Sequence, residues 1–191
     1  NDVCDFFFVI SGEINPQDLM IVLKDRYHNT DAYTIPTDFE PDRLTCRARE
    51  AKRPICTNLC QSTFVAHLRP DLPKAIGPVF WYTMATPAYG PYFPIYPIGT
   101  KIEESFSVDD PKETNSTAWW VYRHLQQDLD RLSQESIAQF RHEAWNKTKT
   151  FINEQLEWES KAKTQFTEGN LNQVESILNQ ATSQSAKSSL K

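Results

Sequence analysis

Residues 78–99, PVFWYTMATPAYGPYFPIYPIG, decide the fold of this chain. The first half, up to Ala85, is an apolar run rich in aromatic residues and bounded by prolines, which predicts a buried strand. The second half repeats a proline every third residue between aromatic side chains, at Pro91, Pro94 and Pro97. Because proline fixes its backbone angle and lacks an N–H donor, this half predicts an extended surface segment, either a covering loop or a pocket wall, and neither an interior strand nor a helix.

Upstream of this stretch, two further strands and one helix are predicted. Residues 62–69 alternate in hydrophobicity, and the short Pro-bearing connection to residue 78 favours antiparallel pairing with the strand that follows. The apolar run 6–10 predicts another short strand. Asn15, Pro16 and Asp18 are typical of a helix start, and Leu19, Leu23 and Tyr27 would form the apolar stripe of a helix ending near residue 28.

Downstream, the last third of the chain shows helical periodicity. One helix is predicted to start near residues 115–117, a long one to run from about 135 to 167, and a shorter one to follow Gly169. The ending, residues 183–191, lacks an apolar pattern and predicts a frayed polar tail, which leaves residues 1–182 as the folded portion. The fold class is therefore α+β, with antiparallel strands in the first half and long helices in the C-terminal third.

Composition excludes two broad classes. The chain has 191 residues, 39% of them hydrophobic, and a net charge of −5. That charge gives no basic face for nucleic-acid binding. No apolar run approaches the roughly 18 residues that a membrane-spanning helix requires, so no membrane span is predicted.

Cysteines and sequons favour the secretory pathway. Cysteine occurs four times, an even number that permits three disulfide pairings among Cys4, Cys46, Cys56 and Cys60. Two N-x-S/T sequons make Asn115 and Asn146 candidate glycosylation sites. Together these features predict a secreted or lysosomal protein. Since the chain begins at Asn1 without an initiator Met, we expect that an upstream segment has been removed or remains as a separate chain.

No self-contained catalytic set is recognisable. The chain lacks a G-x-S-x-G elbow, a P-loop, an H-E-x-x-H motif and a Rossmann glycine pattern. The Cys56-x-x-x-Cys60 spacing lacks a second ligand pair, so no metal site is predicted. A cysteine N-terminal nucleophile uses its own free α-amino group as the base. Because the nitrogen of Cys4 is in a peptide bond, Cys4 is rejected for that role, and no catalytic residue is assigned to this chain.

Four stretches, in this order, resemble the C69 dipeptidase family, to which secernins also belong. They are EINPQDLMIVLKDRYHNTD (13–31), residues 53–99 beginning RPICTNLCQ, TNSTAWWVYRHLQQDL (114–129), and the helix from Arg141 onward. The first is similar to a family helix ending in an R-D-x-Y/H-x-x-T type motif. The likeness covers nearly the whole chain but half or less of a family member. At Asn115 the chain departs from the acidic residue usual in the family, which puts the substrate class in doubt.

The resemblance implies part of an N-terminal-nucleophile (Ntn) αββα sandwich and cleavage of amide bonds, typically in dipeptides. It implies that the nucleophilic cysteine lies on an N-terminal partner chain of the same precursor. This chain is then the non-nucleophile subunit and supplies part of the substrate cleft, with no cofactor. Arg53, Ser62, Trp81 and Tyr92 are the candidate contacts for a small peptide or amide substrate, and Arg53 would pair a carboxylate in bidentate fashion.

Three alternatives remain open at this point. The chain is also compatible with a non-catalytic secernin-like binding or structural module, and with an unrelated domain that folds alone. Within the Ntn class, penicillin and bile-salt acylases and acid ceramidase are possible neighbours.

Overall fold

The structure is a computed structural model, and it describes residues 12–26, 55–57, 59–99, 101–108, 117–129 and 131–191. The predicted strand at 6–10 lies outside the described residues. Within them, a three-stranded antiparallel sheet is combined with helices that are mostly C-terminal, which confirms the α+β prediction.

Helix α1 spans Pro16–Leu23. The Asn15 side chain accepts the N–H of Asp18 while the Asp18 carboxylate accepts the N–H of Asn15, so the predicted start is a complete capping box. Of the predicted stripe, Leu23 packs against the core, and Tyr27 lies outside the described residues. Leu19 was wrong, since it is 43% exposed and its neighbour Met20 is fully buried. The helix also ends earlier than predicted.

Strands β1 (Ser62–His67) and β2 (Val79–Met84) pair antiparallel, as the sequence predicts. Val65 faces Trp81 across the ladder, and both are buried. The opposite face of β1 is open, because Phe64 and the following Leu68 are 59% and 68% exposed. Within the described residues β1 pairs only with β2.

The proline-rich segment contains a third strand, β3 (Phe93–Ile95), so the prediction of a surface segment is wrong. In an antiparallel edge strand every second N–H points away from the neighbouring strand. Phe93, Pro94 and Ile95 lie opposite Tyr82, Trp81 and Phe80 of β2. Proline is tolerated in an edge strand where its missing N–H would have pointed away from the neighbouring strand. The flanking N–H groups of Tyr92 and Tyr96 donate instead to the hydroxyls of Thr148 (3.0 Å) and Thr182 (3.2 Å).

Two helices follow the sheet, α2 (Glu104–Ser107) and α3 (Ala118–Leu129). Phe106 of α2 makes edge-to-face contacts with Phe93 (5.2 Å between ring centroids) and Tyr82 (6.5 Å). Phe106 also contacts Tyr122 of α3 at 6.5 Å. These rings cover the sheet face that carries Tyr82 and Phe93.

The C-terminal third is a helical hairpin of α4 (Gln134–Thr167) and α5 (Leu171–Ser189), both packed against β3. Gly169 separates them with a φ of +81°, a conformation that glycine adopts without strain. The frayed tail predicted from residue 183 is wrong, since α5 continues to Ser189 and buries Ser185, Ala186 and Ser189. Small residues give no apolar pattern in sequence, but they allow α5 to pack closely. None of the described helices has the length and apolar character to cross a bilayer.

Candidate functional site

Two of the segments singled out in the sequence meet at the β2–β3 loop, residues 85–92. We call the group formed there by Lys24, Arg26, Cys56 and Tyr89 the loop cluster. All four side chains are buried, with exposed fractions between 0% and 7%. They are positioned by the end of α1, by the approach to β1 and by the loop itself. A buried group with two cations is unusual in a domain core, because a charge loses its hydration on burial.

Lys24 directly follows α1 and reaches into the loop. Its Nζ donates to the carbonyl oxygen of Gly90 at 2.8 Å and lies over the rings of Tyr92 (5.5 Å to the centroid) and Trp145 (5.8 Å). Burial, reinforced by repulsion from Arg141, lowers the pKa of Lys24 from 10.5 to about 7. A substantial fraction of this amine is therefore neutral near pH 7, which would let it exchange a proton.

Arg26 binds the same loop through Tyr89. Its Nη1 donates to the Tyr89 hydroxyl at 3.0 Å, and its guanidinium carbon lies 5.3 Å from the centre of that ring. The loop therefore receives a hydrogen bond or ring contact from both cations that flank Asp25. The Lys24-Asp25-Arg26 run occupies the position of the family-like motif noted in the sequence.

Cys56 joins the two chain segments. Its N–H donates to the carbonyl oxygen of Asp25 (2.9 Å), and its Sγ accepts the N–H of Ala88 (3.3 Å). Burial raises the pKa of the Cys56 thiol to about 12. Since the thiolate is the nucleophilic form, Cys56 is inert as a nucleophile and acts as a structural group.

The loop carries backbone strain at its first residue. Ala85 has a φ of 55°, in the left-handed region that residues with a Cβ avoid at a cost of about 1–2 kcal/mol. Strain of this kind persists only where surrounding contacts enforce it, and it clusters at functional sites. Nearby, the Tyr92 hydroxyl and the Trp81 Nε1 are buried without a hydrogen-bond partner among the described residues.

A second buried polar group connects β1, β3 and α4. Arg69 donates from Nη1 and Nη2 to the two carboxylate oxygens of Glu159, each at 2.7 Å, and Glu159 is 3% exposed. Glu159 Oε1 also accepts from the Tyr96 hydroxyl (2.8 Å) and from Gln155 Nε2 (2.7 Å). Burial alone would raise the pKa of Glu159, but the hydrogen bonds from Arg69, Gln155 and Tyr96 outweigh it and leave the pKa below its ordinary 4.5. Both carboxylate oxygens of Glu159 accept hydrogen bonds from neighbouring side chains, so this group is a structural clamp.

The structure describes three of the four predicted substrate contacts. Arg53 lies outside the described residues, and Ser62 is exposed at the start of β1. Trp81 and Tyr92 lie in the core, 2% and 0% exposed, as ordinary core aromatics do. As substrate contacts, all four stay predictions.

The secretory features also stay predictions. Asn146 is partly exposed on α4, and Asn115 lies outside the described residues. Cys56 and Cys60 have free thiols, so they do not bond to each other. Cys4 and Cys46 lie outside the described residues.

The loop cluster and the clamp were not predicted from sequence. A signal existed for both. Lys24 and Arg26 lie within the quoted family-like motif, and Glu159 continues the buried spacing of Thr148, Phe151 and Gln155 along α4. In the described part of the chain, no three acidic, histidine or cysteine side chains are grouped as metal ligands.

Comparison with known proteins supports the resemblance seen in the sequence. The family model described as "Peptidase family C69" matches residues 4–147 of the 191, a region that contains the whole loop cluster. A "Probable dipeptidase" of Latilactobacillus sakei is 24% identical over 113 residues, which is 59% of this chain. The aligned region covers 23% of that relative's length. On the family match, the chain belongs to peptidase family C69.

Proposed function

We propose that this chain is the non-nucleophile part of a cysteine-type Ntn amidohydrolase that cleaves dipeptides or small amides. The observation that carries the proposal is the C69 family match over residues 4–147. The relative named as a probable dipeptidase adds support. Because the aligned region covers 23% of that relative, we propose that the catalytic machinery is shared with another segment of the protein.

The described thiols support a nucleophile on another segment. Cys56 is fully buried and its pKa is raised to about 12, and Cys60 lies partly buried beside the Thr57 hydroxyl, 3.6 Å from its sulfur. Full burial denies Cys56 the access to solvent that a reactive thiol needs. In the proposed reaction, the thiol of an N-terminal cysteine attacks the amide carbonyl while its own α-amine accepts the proton. The tetrahedral intermediate collapses to a thioester as the C–N bond breaks, and the leaving amine takes up that proton. Water then attacks the thioester, which releases the acyl half as a carboxylic acid and regenerates the thiol.

We propose that the contribution of this chain is to hold the β2–β3 loop beside the reaction centre. Lys24 and Arg26 fix Gly90 and Tyr89 of that loop, and the strained Ala85 marks a backbone path that the cluster enforces. Ser62, exposed at the adjacent strand end, and Arg53 are the proposed substrate contacts. Arg53 would bind the substrate carboxylate through two parallel N–H donors.

The test is thiol labelling of the purified native protein during dipeptide hydrolysis. Iodoacetamide is expected to abolish hydrolysis, and peptide mapping is expected to find the blocking label on an N-terminal cysteine outside this chain. A Cys56→Ala variant is the control, and it should keep its sensitivity to iodoacetamide. Inactivation that follows labelling of Cys56 or Cys60 would contradict the proposal, and so would a native protein that hydrolyses no dipeptide.

A further inference from the structure

A cavity next to the loop cluster opens between α3, α4 and the end of α5. Its volume is about 290 Å³. The wall is mostly apolar, with Tyr89, Val121, Leu125 and Phe140 among the lining residues. Apolar cavities with a few polar groups are the usual form of small-molecule sites, and this volume lies at the small end of their range. The cavity therefore suits a compact ligand.

Charged groups of both signs line this cavity. Glu143 and Lys147 are one helical turn apart on α4 and share a face, and Lys191 follows α5 across from them. Burial and repulsion from Lys191 lower the pKa of Lys147. Lys147 and Lys191 both line this mostly apolar cavity, and two cations at one such space favour an anionic group in it. The Glu143 carboxylate, which accepts from Gln139 at 3.1 Å, offers a place for a cation beside it.

We propose that this cavity binds an apolar α-amino acid, free or as the end of a peptide. The carboxylate would pair with Lys147 and Lys191, the ammonium would pair with Glu143, and the side chain would fill the space lined by Val121, Leu125 and Phe140. One ligand then satisfies a cationic, an anionic and an apolar surface at once. The choice of an amino acid rests on the proposed peptidase activity, for which it is a product or a substrate terminus.

The cavity is linked to the loop cluster through one residue. Tyr89 lines the cavity, and its hydroxyl accepts a hydrogen bond from Arg26. Ser189 and Lys191 lie beyond the region matched by the C69 family, so part of the cavity wall is contributed by residues outside that match. A site formed in this way can tune specificity without changing the matched region.

Three probes that share one ring test the proposal by titration calorimetry on the purified native protein: L-phenylalanine, 3-phenylpropionate and 2-phenylethylamine. Phenylalanine is expected to bind at one site with a dissociation constant on the order of 1 mM, as suits so small a ligand. The probe lacking the ammonium should bind about 3–5-fold more weakly, and so should the probe lacking the carboxylate, since each loses one partly exposed ion pair.

Two charge variants assign the contacts. Lys147→Gln should weaken the binding of phenylalanine and phenylpropionate, the two probes with a carboxylate, and leave the binding of phenylethylamine unchanged. Glu143→Gln should weaken the binding of phenylalanine and leave the binding of phenylpropionate unchanged. Lys149→Gln, exposed two positions along α4 and outside the cavity, is the matched control. Leu125→Trp should fill the cavity and abolish binding of all three probes, with circular dichroism used to verify folding.

Equal binding of the three probes, or a Lys147→Gln effect no larger than that of Lys149→Gln, would overturn the proposal. Absence of phenylalanine binding at 20-fold above the expected constant would do the same. These outcomes are separate from hydrolysis. If the protein binds phenylalanine as described but cleaves no dipeptide, the proposed site stands and the proposed peptidase function is contradicted. If it cleaves dipeptides but does not bind phenylalanine, only the proposed site is contradicted.

Discussion

At the scale of single residues, the buried amine of Lys24 makes the stability of the protein depend on pH. Its pKa of about 7 lies below the ordinary 10.5 because burial penalises the charged form and Arg141 repels it. Between those two values the unfolded chain binds more protons than the folded one, so the free energy of unfolding rises with pH across that window. Below pH 7 the full cost of the buried charge is present.

The Lys24→Met variant tests this assignment. In the parent protein the free energy of unfolding, measured by urea denaturation, should increase by about 2 kcal/mol between pH 7 and pH 9 from Lys24 alone. Lys24→Met should remove that part of the increase, while Lys161→Met, on the exposed face of α4, should keep it. An unchanged slope in Lys24→Met would show that Lys24 is not buried as a titrating amine.

Thr148 offers a second test at this scale. Its hydroxyl accepts the N–H of Tyr92 (3.0 Å) and donates to the carbonyl oxygen of Ala144 (3.1 Å). Thr148→Val keeps the shape but leaves the buried N–H of Tyr92 without an acceptor, which should lower the free energy of unfolding by about 1–3 kcal/mol. Thr150→Val, on the exposed side of the same helix, should change it by less than about 0.5 kcal/mol. Similar urea midpoints for the two variants would contradict this role for Thr148.

At the scale of elements, the clamp between Arg69 and Glu159 holds α4 against the sheet. Glu159→Gln breaks a buried ion pair and should lower the free energy of unfolding at pH 7 by about 3 kcal/mol. Because the folded pKa of Glu159 is depressed, its contribution is present above about pH 4.5 and is lost as the pH falls through the folded pKa. The stability deficit of Glu159→Gln should therefore shrink on acidification. Glu157→Gln, exposed on the same helix, is the control, and a deficit independent of pH would count against the clamp.

The elements also show what a sequence can and cannot predict. The start of α1, the pairing of β1 with β2 and the course of α4 follow from local patterns: a capping residue, alternation and helical spacing. Strand β3 was missed because tertiary contacts allow a proline there. The N–H groups that flank the strand donate to threonine hydroxyls of α4 and α5, which lie more than 50 residues away in sequence. The end of α5 was missed because small polar residues there are buried by packing, which no local hydrophobic pattern records.

The site follows the same division. The chain segments that form the loop cluster were singled out by their resemblance to the family. The particular side chains were not singled out, because a sequence predicts that Lys24 and Arg26 are exposed until the loop that covers them is known. The predicted contacts Trp81 and Tyr92 were chosen for their aromatic character, which core packing explains equally well.

At the scale of the whole molecule, the outer face of β1 is where we propose the nucleophile-bearing segment to pack. Phe64 and Leu68 are large, apolar and more than half exposed there, next to a strand edge that has no partner among the described residues. Leu68→Asp should reduce the amount of a second chain that co-elutes in size-exclusion chromatography. Leu156→Asp, equally exposed at 68% but on α4, should leave it unchanged. Equal retention by both variants would place the contact elsewhere.

The central claim is that the reactive cysteine belongs to another polypeptide segment of the same protein. Intact mass measurement combined with N-terminal sequencing of the active native material tests it most directly. We expect a second polypeptide, associated with the 22.1 kDa chain, whose first residue is cysteine. Full dipeptide hydrolysis by the 22.1 kDa chain alone, or active material in which no polypeptide begins with cysteine, would contradict the account.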